Sequence, residues 1–217
     1  MTIRHHPSET TLISFAAGAL PVAIAGLVAC HASICPDCRG KVRRLKIVGA
    51  LLLEAIQAEP VNEAEIHLAV TRFSERSVLP FARAAEPASD PVLPNPLAHY
   101  LGMTGNEIPW KTLVKGLQQY RVKLPKGAGE IRLLKARPKM KFLKHGHRGM
   151  ELTMVLKGAY RDETGEYHRG DVSDLAEDIE HQPKVLSGEE CICIIASERP
   201  ARYSDLLPRL LQPIMGF

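Results

Sequence analysis

At 217 residues, with 45% hydrophobic and 24% charged residues, the chain is long enough for one large core or two small ones. A formal net charge of +4 is too mild to mark a nucleic-acid binder. The five cysteines, an odd number clustered with histidine, point to metal binding in a reducing compartment and away from a disulfide framework.

From the N-terminus, Ser8 with Glu9 behind it supplies a hydroxyl cap and an acid in a first helical turn, predicting a helix to about Gly18. Pro21, favoured at a first helical position, opens a second helix over residues 21–33. Residues 11–30 carry no charge, roughly the length that spans a bilayer, and Leu27-Val28-Ala29-Cys30 has the form of a lipobox. Against export stand the single firm positive charge before the apolar run, Arg4, and the acid Glu9 at its border. Cleavage before Cys30 would also discard His5 and His6. The segment is therefore expected to form two short amphipathic helices in a soluble, cytoplasmic protein.

The sharpest N-terminal signal follows. His31 and Cys35 lie four residues apart, one turn along a helix face, and Cys35-Pro36-Asp37-Cys38 is a Cys-x-x-Cys knuckle. Two thiolates and an imidazole suit a borderline-soft ion such as Zn²⁺, and a closed site needs a fourth donor, which the N-terminal arm offers as His5 or His6. A redox dithiol is the competing reading of Cys35 and Cys38, but that motif belongs to a βαβ setting absent here. Cys30 is one residue off the ligand face and reads as a small core residue. A third helix begins near Pro36, with Val42, Leu45, Gly49, Leu52 and Ile56 along one face. The basic cluster Arg39, Lys41, Arg43, Arg44 and Lys46 on its first half reads as solvated charge. A fourth helix starts near Asn62, where Glu65 completes a capping pattern.

Composition then changes. Five prolines between Pro80 and Pro96 mark a linker, because proline cannot sustain a helix interior or a central strand. Beyond it come short runs of period two, such as Tyr120-Arg121-Val122-Lys123-Leu124 and Leu152-Thr153-Met154-Val155-Leu156, separated by glycine turns. They read as a β-sandwich or barrel. The fold class is α+β multidomain: a helical metal-binding domain over residues 1–85, a linker over 86–96, and a β-domain over 97–217. An apolar ending over residues 206–215 is expected to pack as a short terminal segment.

A second metal constellation lies in the β-domain. On a strand His145 and His147 point the same way, and Glu151 shares their parity. Cys191 and Cys193 share one strand face and are expected to be buried packing residues. His67, His99 and His168 have no comparable arrangement and read as surface residues.

Two resemblances join these pieces. His6, then His31-x-x-x-Cys35-x-x-Cys38, resembles the pattern of zinc-binding anti-sigma domains. Residues 2–56, with Ala17-Gly18-Ala19-Leu20, are similar to the ChrR branch of that family. The resemblance implies the ligands His6, His31, Cys35 and Cys38, with His5 as the alternative to His6. It also implies helices that clamp an extracytoplasmic-function sigma factor and keep it from RNA polymerase. His145-x-His147-x-x-x-Glu151 followed by Gly158 resembles the first cupin motif, and Gly165-x-Tyr167-x-x-Gly170-Asp171 with His181-x-Pro183 the second. That implies a jelly-roll barrel with His145, His147, Glu151 and His181 as ligands. The asparagine often found in the second motif is not evident, which loosens the match to catalytic cupins. The donor set alone admits Zn²⁺, Mn²⁺, Fe²⁺ or Ni²⁺; the family implies zinc at both sites.

The expected function is a cytoplasmic anti-sigma factor with no catalytic residues, no direct nucleic-acid contact and no membrane. It releases its partner on an oxidative signal sensed or transmitted by the cupin. A metal-dependent cupin enzyme, of dioxygenase or isomerase type, fused to a helical zinc module is the alternative.

Overall fold

The computed structural model describes residues 2–58, 60, 62–75, 90, 92–146, 149–175, 179–186, 188–198 and 202–203. Residues 86–89 and 91 of the expected linker, its boundary near Ala85, His147 and the apolar ending lie outside the described residues.

Helices come first. In α1 (Glu9–Ala16) the Ser8 hydroxyl accepts the Thr11 N–H, the expected cap. Helix α2 (Val22–Ile34) starts after Pro21. It is buried on nearly all sides, with Ala23, Ile24, Leu27, Val28 and Cys30 inaccessible to solvent, so it is a core helix and not the amphipathic one expected. This accounts for the uncharged run. No single described helix is long and apolar enough to cross a membrane, and α2 meets α3 (Pro36–Glu54) at a bend of 118°. Helix α4 (Glu63–Glu75) opens with the reciprocal cap of Asn62 and Glu65. The basic cluster on α3 is solvated, and His67, His99 and His168 are exposed.

The prolines at 94 and 96 do not prevent a helix. Pro94 caps α5 (Asn95–Leu101) and Pro96 sits in its first turn, where no backbone N–H is needed. Asp90 holds this entry in place: its carboxylate accepts the N–H groups of Val92, Leu93 and Gly105 at 2.6–2.7 Å. Burial alone would raise its pKa, but those three donors outweigh burial and hold it below its ordinary value. Asp90→Ala is expected to cost about 2 kcal/mol in urea unfolding at pH 7. Because the folded pKa is depressed, the advantage of Asp90 over Ala should be complete above the ordinary carboxylate pKa and fade as pH falls below it.

Among the described residues eleven strands follow in antiparallel pairs. The large sheet runs in the order β1 (Lys111–Val114), β2 (Leu117–Val122), β3 (Glu130–Ala136), β10 (Cys191–Ser197), β5 (Glu151–Lys157), β8 (Val172–Leu175). Opposite it lie β7 (Glu166–His168), β6 (Ala159–Arg161) and β9 (Lys184–Val185), with β4 (His145–Gly146) paired to β11 (Arg202–Tyr203). The arrangement is a cupin-like antiparallel β-domain following N-terminal helices.

Strands β3, β5 and β10 are buried on both faces, and period two divides their side chains. Ile131, Leu133, Leu152, Met154, Ile192 and Ile194 join Leu12, Ile24, Leu27 and Val28 in one apolar cluster shared by helices and sheet. Ala136, Val155, Cys191 and Cys193 join Tyr160, Tyr167 and Val185 in a second cluster on the other face. Helices and barrel meet closely at Gly129 (φ 83°). A Cβ there would stand 2.7 Å from the Ser197 carbonyl oxygen and 3.0 Å from Ala23 Cβ. Beside it the Ala23 N–H donates to the Ala128 carbonyl, at 2.9 Å.

Candidate metal centres

His6, His31, Cys35 and Cys38 converge, with one donor atom of each within 4.8 Å of the others. His31 lies on the last turn of α2. Cys35 is the residue between α2 and α3, and its sulfur accepts the Cys38 N–H at 3.4 Å, so the knuckle doubles as the cap of α3. His31, Cys35 and Cys38 are buried to 1% exposure or less. His6 Nδ1 lies 3.4 Å from His31 Nε2, 3.5 Å from Cys35 Sγ and 3.4 Å from Cys38 Sγ. One ring nitrogen cannot hydrogen-bond three partners. A tetrahedral ion bonded at about 2.05 Å to nitrogen and about 2.3 Å to sulfur sets a nitrogen about 3.3–3.6 Å from each of the other donors. The four residues fit such an ion.

Electrostatics agree with that geometry. Burial draws the His31 pKa down to about 4, so its ring is neutral at pH 7. Its Nδ1 donates to the Gly170 carbonyl at 3.0 Å, which puts the lone pair on Nε2, toward His6. Burial, and then the neighbouring Cys35, push the Cys38 thiol up to about 12. A cation is what would stabilise its thiolate. His5 is turned elsewhere: its ring packs on Tyr167, centroids 4.6 Å apart.

The barrel brings together His145, Glu151 and His181, again with donor atoms within 4.8 Å. His145 and His181 face each other across an isolated bridge, with their main chains joined by hydrogen bonds of 3.1 and 3.0 Å. Their Nδ1 atoms donate outward, His145 to the Leu143 carbonyl at 3.0 Å and His181 to Asp162 at 2.8 Å. Both hydrogen bonds leave the lone pair on Nε2. Burial would raise the pKa of Asp162, whose side chain is fully enclosed, but hydrogen bonds from His181 and Thr164 hold it below its ordinary value. This carboxylate–histidine pair is the usual outer support of a metal ligand. His147 lies outside the described residues, so three of the four expected donors are described here. They border a cavity of about 250 Å³ lined otherwise mainly by apolar groups, among them Leu117, Met140, Phe142 and Ile195. Cys191 and Cys193 also line it, with sulfurs 3.5 Å apart. The hydrogen bond to Cys191, and then burial, push the Cys193 thiol well above its ordinary pKa.

Sequence reasoning missed Asp162 and Asp174, and gave Asp171 no role beyond its place in the second cupin motif. Asp162 carried a local sign, since Asp162-x-Thr164-Gly165 is an Asx-turn pattern. One of its oxygens accepts the Thr164 N–H, Thr164 hydroxyl and Gly165 N–H, which aims the other at His181. The partners that Asp171 and Asp174 find in the N-terminal arm, more than 160 residues away, have no local sign.

A family model for the ChrR cupin-like domain matches residues 101–200. The anti-sigma-E factor ChrR of Cereibacter sphaeroides is 38% identical over 214 residues, which is 98% of each chain. The crystal structure of Rhodobacter sphaeroides SigE in complex with the anti-sigma ChrR is similar at a TM-score of 0.72 and 34% identity. That match covers 90% of this chain and all of the other.

Proposed function

This chain belongs to the ChrR family of anti-sigma factors, and from that premise we propose that its N-terminal helices bind an extracytoplasmic-function sigma factor and hold it inactive in the cytoplasm. The observation that carries this reading is the second half of α3. Ile47, Val48, Leu51, Leu52 and Leu53 are each more than half exposed, as is Ile56 just beyond the helix. On α4, Ile66 and Leu68 are each 50% exposed. Contiguous apolar exposure of this kind marks a protein-binding surface.

In this reading His6, His31, Cys35 and Cys38 hold a structural zinc ion that ties the N-terminal arm to the α2–α3 corner. His145, His147, Glu151 and His181 hold a second ion, read as zinc, in the barrel. When bound, each ion supplies a fixed positive charge that keeps its donors converged. The barrel senses or passes on an oxidative signal, and the helices release the sigma factor. The protein needs no turnover and no DNA contact for this.

The cavity beside His145, Glu151 and His181 favours a second reading, a metal-dependent cupin enzyme acting on a small apolar molecule. Co-expression with the cognate sigma factor separates the two. A stable 1:1 complex, with sigma-dependent transcription suppressed in vitro, is the expected result. A chain that neither co-purifies nor inhibits, yet turns over a small molecule with its barrel metal, would establish the enzyme instead.

A further inference from the structure

Both nitrogen donors of the helical centre are braced by the barrel: His31 on α2 through its ring, and His6 through the main chain of its neighbours, whereas the two sulfur donors belong to the α2–α3 corner. Asp171 lies just before β8 and is 1% exposed. One carboxylate oxygen accepts the Arg4 N–H at 2.6 Å and the His5 N–H at 3.0 Å; the other accepts the His168 N–H at 2.8 Å. The next residue, Val172, donates its N–H to the His5 carbonyl at 3.0 Å. The preceding residue, Gly170, supplies the carbonyl that receives His31 Nδ1. Further along β8, Asp174 accepts the Ser8 N–H at 2.8 Å and the Thr11 hydroxyl at 2.7 Å. His6 is therefore clasped on both sides, through His5 and Ser8, by carboxylates of one barrel strand and its entry turn.

We propose that Asp171 is a positioning residue for the helical metal centre, fixing through the arm the place of His6, so that the barrel sets the coordination geometry of the anti-sigma domain. This rests on the reading of His6, His31, Cys35 and Cys38 as ligands. A buried carboxylate that accepts backbone N–H groups holds a main chain in place where a side-chain contact would leave it room to slide. The same strand reaches the second centre: β8 pairs with β5 in a register that sets Leu175 opposite Glu151. A change at Glu151 thus has a short path, across one strand pair, to the arm that carries His6. Displacing the arm by about one ångström would pull a nitrogen donor away from two sulfurs that stay with α2 and α3.

The test is the rate at which the full-length, zinc-loaded chain gives up zinc to a chromophoric chelator. Alkylation of Cys35 and Cys38, read by mass spectrometry, identifies release from the helical centre. Asp171→Asn keeps the shape of the side chain but turns an N–H₂ group toward backbone donors. It should speed release from the helical centre about 10–100-fold, the range seen when outer partners of metal ligands are changed. Zinc in the barrel should stay as in the wild type. Asp174→Asn, at a half-buried position, should shift release in the same direction, about tenfold, and decides the matter if Asp171→Asn fails to fold. Unchanged release from the helical centre in a folded variant overturns the proposal, as does equal acceleration at both centres, which would mean general loosening. A wild-type chain whose Cys35 and Cys38 alkylate equally fast with and without zinc overturns the ligand reading as well.

Discussion

Cys38→Ala is expected to leave the sigma factor uninhibited, with a reporter driven by that factor as active as in cells lacking this protein. The thiol is 1% exposed and forms one vertex of a four-donor set whose spacing fits a tetrahedral ion. Its removal leaves three donors and opens a closed site. A structural zinc site contributes on the order of 10–16 kcal/mol in small peptides, which matches or exceeds the whole margin of a typical domain. Without the ion, the α2–α3 corner loses its tie to the N-terminal arm, and with it the base from which the exposed half of α3 projects. Cys30→Ala is the control. That thiol is equally buried, with its pKa raised by burial to about 12, but it lies outside the donor cluster and packs in the shared core. Its loss should cost about 1 kcal/mol, as for one buried heavy atom, and leave inhibition intact. Wild-type repression by Cys38→Ala would remove the structural role of the metal.

What could be read from the sequence divides along the range of the interactions involved. The His31-x-x-x-Cys35-x-x-Cys38 spacing is set by a helix turn and its cap, both local, and the structure brings these residues together as expected. The choice between His5 and His6 is not local. In the N-terminal arm the two rings go to different places, and what fixes which of them reaches the cluster is the grip of Asp171 and Val172 on the His5 main chain. Period two marked β2 and β5. The apolar face on α3 was legible too, but not its destination. Val42 is buried against the rest of the domain, whereas Leu52 on the same stripe is 64% exposed. Hydrophobic periodicity reports that a face will be covered, not whether its own chain covers it. For α2 the amphipathic expectation failed for a related reason: α5 and the large sheet enclose the side that would have met solvent. Asp162, between β6 and β7, supports His181 only once the barrel has closed.

That exposed stripe sets the second large effect. Leu52→Glu is expected to weaken sigma-factor binding about 100-fold or more, measured by calorimetry on the purified, zinc-loaded chain. Leu52 and its neighbours Leu51 and Leu53 are 59–70% exposed in the free chain, so a charge there meets water and costs the fold little. In a complex that covers the stripe, the same charge must be desolvated, and the apolar contact area is lost as well. Central apolar positions in such interfaces contribute about 2–4 kcal/mol each, and a hundredfold change corresponds to about 2.7 kcal/mol. Val114→Glu tests specificity. Val114 is 45% exposed but sits on β1, an edge strand of the large sheet, and the change should leave affinity as it was. Lysine at position 52 should weaken binding about as much as glutamate, because the penalty comes from burying a charge of either sign. If lysine were tolerated and glutamate were not, the surface would act by electrostatic attraction, with the basic cluster at Arg39, Lys41, Arg43 and Arg44 as its centre. Unchanged affinity in both variants would place the sigma-binding surface elsewhere on the molecule.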